Sequence, residues 1–154
     1  MSLEDDVAFF ERVPTFAVLG KQALRILAIG AESRYVHRGE VLFTAGEVAD
    51  SGFVVQEGAF KLAAQESDGG RTLIVGPGTL LGELAMLTET TRPVTATALE
   101  PSTVLRIPRS LFIKMLEGYP DAATRLRDTL AHRSDEWDRD INYVRSALDA
   151  QERK

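Results

Sequence analysis

A glycine, a glutamate and an arginine lie close together in one segment that also contains a short apolar run. Gly82 and Glu83 precede the run Leu84-Ala85-Met86-Leu87, and Arg92 follows ten positions after the glycine. Backbone N–H groups at the start of a helical turn attract an anion, and a carboxylate accepts hydrogen bonds from sugar hydroxyls. A guanidinium forms paired hydrogen bonds with phosphate oxygens. These residue types and their spacing predict a site for a small phosphorylated sugar.

Such a site needs a frame, and the sequence from Ser33 to Ile107 predicts one made of β-structure. Short β-type runs alternate with glycine-containing turns at spacings of roughly 8–12 residues, which is typical of a compact antiparallel sandwich or barrel. Asp68-Gly69-Gly70 predicts the tip of a hairpin, because glycine tolerates positive φ. The predicted runs are Arg34–Val36, Val41–Phe43, Gly52–Val55, Phe60–Ala63, Thr72–Val75, Val94–Ala98 and Thr103–Leu105.

Helical patterns flank the β-type region on both sides. Residues 1–31 carry apolar residues near the helical period, with an interruption at Pro14. Residues 109–150 predict two further helices, a short amphipathic one that ends near Gly118 and a longer one that starts at Pro120. The order along the chain is therefore helices, β-structure, helices.

This order and the residues at 82–94 resemble the cyclic nucleotide-binding domain family, which includes the catabolite activator protein and the regulatory subunits of cyclic-nucleotide-dependent kinases. The resemblance covers nearly the whole chain and implies a single domain over residues 1–154. It implies a mainly β fold with flanking helices: N-terminal helices (1–31), a jelly-roll-like β-roll or double-stranded β-helix (33–107), and C-terminal B and C helices (109–150). It also places a phosphate-binding cassette at 82–94.

The resemblance assigns a role to each matching residue of the cassette. Glu83 would accept a hydrogen bond from the ribose 2′-hydroxyl, and Arg92 would pair with the ring phosphate. The backbone N–H groups of Leu84 and Ala85 would complete the cradle, and Gly82 would let the backbone approach the sugar. Because the Glu83 and Arg92 side chains would face a solvated pocket, we expect that replacing either one leaves the unliganded protein folded.

Pro93 and Val94 depart from the family pattern, which usually has Ala, Ser or Thr followed by Ala at these positions. Proline has no N–H group, so a backbone donor that would face the phosphate is missing. The absence of a hydroxyl at position 93 also removes a group that favours guanine in cGMP-selective relatives. We therefore expect weakened binding, with cAMP as the ligand in preference to cGMP.

The C-terminal helix carries an apolar seam at heptad spacing on an otherwise charged surface. One interpretation is a helix that packs against its own barrel. The other, implied by the resemblance, is a helix that pairs two subunits into a homodimer or folds over the base as a lid, with Trp137 and Tyr143 as candidate lid residues. The seam residues are Leu130, Trp137, Ile141, Val144 and Leu148.

Composition narrows the classes of function. The chain has 154 residues, a formal net charge of −5 and no cysteine. The charge disfavours non-specific binding of nucleic acid or anionic membranes, and no apolar run approaches the roughly 20 residues of a membrane-spanning helix. The acidic start, Glu4-Asp5-Asp6, differs from the basic start of a signal peptide, so we expect a cytoplasmic protein.

A ligand-driven regulator that acts on an unknown protein effector is the leading hypothesis. The sequence holds no convincing catalytic constellation, and the chain ends at Lys154 without room for a DNA-binding helix-turn-helix domain. Three alternatives stay open: a vestigial fold used for dimerisation or protein docking, a fragment of a longer regulator, and a small sugar-phosphate enzyme. The third lacks a plausible general base beside the arginine.

Overall fold

Two helices begin the computed structural model, which describes residues 2–65 and 70–131. They are α1 (Leu3–Phe10) and α2 (Lys21–Gly30). Helix α1 starts with a reciprocal cap in which the Ser2 hydroxyl accepts from the Asp5 N–H and the Asp5 carboxylate accepts from the Ser2 N–H. The turns between the two helices bury Phe16.

Ten short strands follow, and then two more helices. A 3₁₀ turn, Leu84–Met86, lies between the seventh and eighth strands, and α3 (Arg109–Gly118) follows the last strand. Residues 120–131 are helical and form the described part of α4. The strands are β1 (Glu32–Val36), β2 (Val41–Phe43), β3 (Val48–Ala49), β4 (Ser51–Glu57), β5 (Phe60–Ala64), β6 (Thr72–Val75), β7 (Leu80–Leu81), β8 (Thr90–Thr91), β9 (Val94–Ala98) and β10 (Ser102–Pro108).

The strands form two four-stranded sheets and one small pair. The sheet orders are β1–β10–β4–β7, β2–β9–β5–β6 and β3–β8, and every neighbouring pair is antiparallel. Strands that follow one another in the sequence often lie in different sheets, as expected for a roll rather than a meander. The predicted mainly β fold with flanking helices is confirmed.

Buried apolar side chains form two clusters. The helical core joins the helices to the outer face of the first sheet: Val7, Phe10, Val13, Phe16, Leu19, Ala23, Leu24, Leu27, Val54, Met86, Leu105, Ile107, Phe112, Met115, Ala122 and Leu126. The roll core joins strands of both sheets: Val36, Leu42, Phe43, Phe53, Val55, Phe60, Leu81, Ala96, Ala98 and Val104.

Strand β4 separates these two cores. Val54 faces the helical core, whereas Phe53 and Val55 face the roll core. Because successive side chains of a strand point to opposite faces, a strand covered on both sides needs no polar face. This explains the continuous apolar run that the sequence shows at Gly52–Val55.

Every predicted β-type run lies in a strand, but β3, β7 and β8 were not predicted. Each has only two residues, which is too short for an alternating pattern to stand out. Strand β5 pairs with β6 as the predicted hairpin requires, while residues 66–69 at its tip lie outside the described residues.

The predicted short helix near Gly118 corresponds to α3. In α4, Leu126 is buried in the helical core and Leu130 packs against it while partly buried. The first seam position therefore packs on the protein's own domain. The remaining seam positions and both lid candidates, Trp137 and Tyr143, lie outside the described residues.

Candidate functional site

The segment predicted to bind an anion forms a tight turn directly after β7. Gly82 has φ +78°, and Glu83 is half-buried and leads into the 3₁₀ turn. Ala85 and Met86 are buried beneath the turn, whereas Leu84 is 59% exposed. The Ala85 N–H donates to the Gly82 carbonyl at 3.1 Å, so this expected anion donor also closes the turn.

Gly82 is glycine for two reasons in this structure. Its positive φ is one that other residues rarely adopt. A Cβ at this position would also collide with the Arg92 guanidinium and would lie 3.1 Å from the Ser51 carbonyl oxygen. The lack of a side chain at Gly82 therefore makes room for Arg92 beside the turn. It would also allow the expected close approach of a sugar.

The backbone of Arg92 is fixed by a turn from a distant part of the chain. The Arg92 N–H donates to the Glu47 carbonyl at 2.8 Å, and the Arg92 carbonyl accepts from the Gly46 N–H at 2.8 Å. Gly46 has φ +92°, which a turn of this shape requires. Together these two hydrogen bonds set the position from which the Arg92 side chain extends.

The Arg92 guanidinium packs against two members of the roll core. Its central carbon lies 4.5 Å from the ring centroid of Phe43 and 5.3 Å from that of Phe53. The two rings are themselves stacked at 5.9 Å. Such cation–π contacts stabilise a cation by about 0.5–2 kcal/mol. The arginine is only 6% exposed, so the rings hold its charge inside the protein.

The hydrogen-bonding groups of this guanidinium are only partly satisfied. Its Nη2 donates to the Ser51 hydroxyl at 3.3 Å, but Nη1 is buried with no hydrogen-bond partner among the described residues. Burial lowers the pKa of Arg92, and the negative charges of Asp50 and Glu47 oppose this effect. Because arginine stays protonated in proteins, a positive charge with a free donor remains beside Gly82. A phosphate oxygen is a suitable partner for it.

The burial of Arg92 corrects one expectation from the sequence. Its side chain does not face a solvated pocket; it lies among aromatic rings, so its replacement will change the stability of the unliganded protein. Pro93 is exposed, and Val94 is half-buried against the roll core. The structure thus places Gly82, the 3₁₀ turn and the Arg92 guanidinium side by side.

Sequence reasoning missed three residues that contact Arg92. Phe43 and Phe53 lie in predicted β-type runs, and their pairing across the roll becomes visible only when the strands are placed. Ser51 gave no signal, because a serine before an apolar run is commonplace. The residue is nevertheless 1% exposed, and its hydroxyl accepts from the guanidinium.

Metal-binding clusters and membrane-spanning helices are both absent from the described residues. No group of three or more His, Cys, Asp or Glu side chains there could hold a metal ion. Within residues 2–65 and 70–131, no helix has the length and apolar character needed to span a bilayer.

The chain is similar to known proteins in both sequence and fold. The family model described as "Cyclic nucleotide-binding domain" matches residues 33–119, more than half of the chain. Among solved structures, the chain is similar to a cyclic nucleotide-binding-like protein from Brucella abortus bv. 1 str. 9-941. That match has 37% identity and a TM-score of 0.66, and it covers 73% of this chain and 98% of the other.

Two further similarities extend the comparison. The N-terminal domain of a transcriptional regulator from Streptomyces coelicolor A3(2) matches with 30% identity and a TM-score of 0.77, over 86% of this chain and 94% of that one. Lysophospholipase NTE1 of Chaetomium globosum is 30% identical over 100 residues, which are 64% of this chain and 7% of that protein. The chain thus spans a small fraction of the length of this relative.

Proposed function

The chain belongs to the cyclic nucleotide-binding domain family, and from this premise we propose that it binds cAMP, in preference to cGMP, as a regulatory module. Domains of this family regulate and do not catalyse. The phosphorylated sugar would lie against Gly82 and the 3₁₀ turn, with Arg92 as the counterion of its phosphate.

The observation that carries the proposal is the buried Nη1 of Arg92. A buried donor without a partner costs about 1–3 kcal/mol, more when the group is charged. An anion that accepts this hydrogen bond would remove that cost and neutralise the buried charge. Nη1 lies directly beside Gly82, where a Cβ would collide with the guanidinium, so it is close to the turn against which the phosphate would lie.

The sugar would be recognised from the other side of the turn. Glu83 is half-buried next to Gly82, where its carboxylate can accept from a ribose hydroxyl. The N–H groups of Leu84 and Ala85 would face the phosphate, with the Ala85 N–H sharing its proton between the Gly82 carbonyl and the ligand. These assignments rest on the family resemblance together with the placement of the turn.

The preference for cAMP follows from Pro93. Without a hydroxyl at this position, the protein lacks the group that favours guanine in cGMP-selective relatives, and without an N–H it lacks one phosphate donor. A hydrogen bond to a charged group contributes about 1.5–3 kcal/mol. We therefore expect cAMP to bind more weakly than it would with Ala or Ser at position 93, and cGMP to bind more weakly still.

Isothermal titration calorimetry tests the proposal directly. The protein is titrated with cAMP, cGMP and 5′-AMP, the last being a control with an open phosphate. Pro93→Ala should tighten cAMP binding by roughly tenfold, because it restores one donor to the phosphate. Absence of heat and of any thermal shift with millimolar cAMP and cGMP would refute the proposal. Unchanged affinity in Pro93→Ala would refute only the missing-donor argument.

The output of the module is proposed to pass through the C-terminal helix to a protein effector. The seam positions after Leu130, namely Trp137, Ile141, Val144 and Leu148, are spaced for pairing with a second copy. Analytical ultracentrifugation with and without cAMP measures whether the chain dimerises and whether the ligand changes the dissociation constant. A monomer in both conditions would reject pairing. The proposed location is the cytoplasm, which cell fractionation and immunoblotting would test.

A further inference from the structure

A second arginine connects the turn of the candidate site to a helix. Arg109 is the first residue of α3 and is half-buried. Its Nε donates to the Ala85 carbonyl of the 3₁₀ turn at 2.9 Å, and its Nη2 donates to the Ala49 carbonyl at 2.6 Å. Its backbone N–H donates to the Asp50 carbonyl at 2.8 Å. One residue therefore ties α3 to both the turn and the β3–β4 corner.

The same corner also contacts Arg92. Ser51 accepts a hydrogen bond from the Arg92 guanidinium, and the Ser51 backbone pairs with Pro108, the residue before Arg109. A Cβ at Gly82 would lie 3.1 Å from the Ser51 carbonyl oxygen. The segment Ala49–Ser51 is thus shared by the two arginines, one that would hold the phosphate and one that begins α3.

We propose that Arg109 is a positioning residue that couples the turn of the candidate site to the first turn of α3. An anion bound at the 3₁₀ turn would stabilise that turn, and through Arg109 it would stabilise the start of α3. The ligand-dependent half of this proposal rests on the function proposed above. Because coupling between two sites is reciprocal, a loosened α3 would also weaken the turn.

The chemistry of arginine suits this role. Two carbonyl oxygens on different segments need two donors held at a fixed separation, and the planar guanidinium supplies them. Lysine would keep the charge but would offer a single nitrogen. No side chain within the described residues caps the start of α3, and the Arg109 guanidinium attaches this first turn to the β3–β4 corner and to the 3₁₀ turn.

The chain contains a matched control for this arginine. Arg125, in α4, uses the same two groups in the same way: its Nε donates to the Val18 carbonyl at 2.7 Å and its Nη2 to the Leu19 carbonyl at 3.0 Å. These bonds attach α4 to the segment before α2 rather than to the candidate site. Arg109→Gln and Arg125→Gln therefore remove the same chemistry from two places, and only the first should affect the turn.

Hydrogen–deuterium exchange without ligand is the first experiment. Arg109→Gln should speed exchange about tenfold in two segments together, residues 84–88 and residues 109–113, which corresponds to about 1.4 kcal/mol. Arg125→Gln should leave both segments unchanged. If Arg109→Gln fails to fold, Arg109→Lys, which keeps the charge but has a single donor nitrogen, should speed exchange in both segments by less than about tenfold. Exchange in Arg109→Gln or Arg109→Lys that rises in only one of the two segments would overturn the proposal.

The second experiment adds saturating cAMP. In the wild-type protein and in Arg125→Gln, cAMP should slow exchange in residues 109–113 by at least about threefold, and in Arg109→Gln this slowing should disappear although cAMP still binds. Slowing that persists in Arg109→Gln, or binding that leaves residues 109–113 unchanged in the wild-type protein, would overturn the coupling. If calorimetry shows no binding to the wild-type protein, the proposed function fails, while the exchange measured without ligand still decides the role of Arg109.

Discussion

The helical core and the roll core are both clusters of buried apolar side chains, but they differ in what their aromatic rings contact. The helical core is apolar throughout, and its aromatic rings pack on one another, as Phe16 does on Phe10 and Phe112. The roll core packs two of its rings, Phe43 and Phe53, on a guanidinium. Among the described residues, Arg92 is the one charged residue that is buried.

Because of this difference, we expect the helical core to contribute mainly to stability and the roll core to contribute to ligand binding. An apolar cluster gains free energy from every buried side chain, whereas a buried cation with an unpaired donor reduces the stability of the unliganded state. The helical core would therefore supply most of the folding free energy. The roll core would contribute less to stability, because it holds a charge beside the candidate site. Substitutions in the two cores should then have different signatures.

The largest expected effect is on stability, from the helical core. Phe112→Ala removes a fully buried ring that stacks on Phe16 at a centroid distance of 6.2 Å. We expect the free energy of unfolding to fall by about 3–5 kcal/mol, measured by urea denaturation. The affinity of the folded protein for cAMP should change by less than about threefold. A large loss of affinity would show that the two cores are not separable.

The next effect has opposite signs for stability and binding. Arg92→Met replaces the buried cation with an apolar side chain of similar length, and replacing buried charges in this way is often neutral or stabilising. We expect the free energy of unfolding without ligand to rise by about 1 kcal/mol. The cAMP affinity should fall at least about 100-fold, because the phosphate loses its counterion.

Arg125→Met is the control for this substitution. It removes two hydrogen bonds to the Val18 and Leu19 carbonyls and should lower stability by about 1 kcal/mol while leaving affinity unchanged. If Arg92→Met proves as destabilising as Arg125→Met, the cation contributes to the stability of the roll core and the contrast between the cores fails.

A smaller effect should distinguish the role of Glu83 from that of Arg92 in ligand binding. Glu83→Gln keeps the size of the side chain and weakens its acceptor, so cAMP affinity should fall by roughly tenfold, less than for Arg92→Met, because a sugar hydroxyl can still bond to water. Glu89→Gln is the matched control, since Glu89 is exposed in the same segment and should leave affinity unchanged. A cost for Glu83→Gln that equals or exceeds that of Arg92→Met would reverse the assigned roles.

The smallest expected effect is a pH dependence outside both cores. Burial alone would raise the pKa of the Asp50 carboxyl, but the Ser51 hydroxyl and the Arg106 guanidinium outweigh it and hold the pKa below its ordinary value of 3.8. The carboxylate therefore contributes stability above about pH 4 that is lost as the pH falls through the lowered pKa.

Because this pair is exposed, with Asp50 at 70%, the contribution should be at most about 0.5 kcal/mol. In Asp50→Asn, the stability lost between pH 7 and pH 3 in urea titrations should be smaller by that amount. An unchanged or steeper acid dependence would contradict the assignment.

The sequence predicts features that depend on neighbouring residues, but it does not predict contacts between residues that are distant in the chain. Thr72–Val75 and Val94–Ala98 were predicted with the bounds that β6 and β9 have, because turn residues punctuate an apolar run at one or both ends. Residue types and spacing also singled out Arg92. Its burial was not predictable, since it depends on Phe43 and Phe53 meeting from two different sheets.

The contacts of Arg109 are also not predictable from the sequence. An arginine at the start of a helix gives no signal in a sequence, because most arginines are solvated. Its two acceptors are backbone carbonyls, and any residue type could supply them. Contacts of this kind become visible only when the turn after β7 and the corner before β4 have been placed in space.

The backbone hydrogen bonds of Arg92 also have a consequence for the order of folding. They join it to Gly46 and Glu47, about forty-five positions earlier in the chain, so closing this loop costs entropy before any contact within it is gained. Contacts between distant parts of a chain form slowly. We therefore expect the neighbouring helices α1 and α2 to pair before Arg92 reaches its place beside the rings, and anion binding to appear late in refolding.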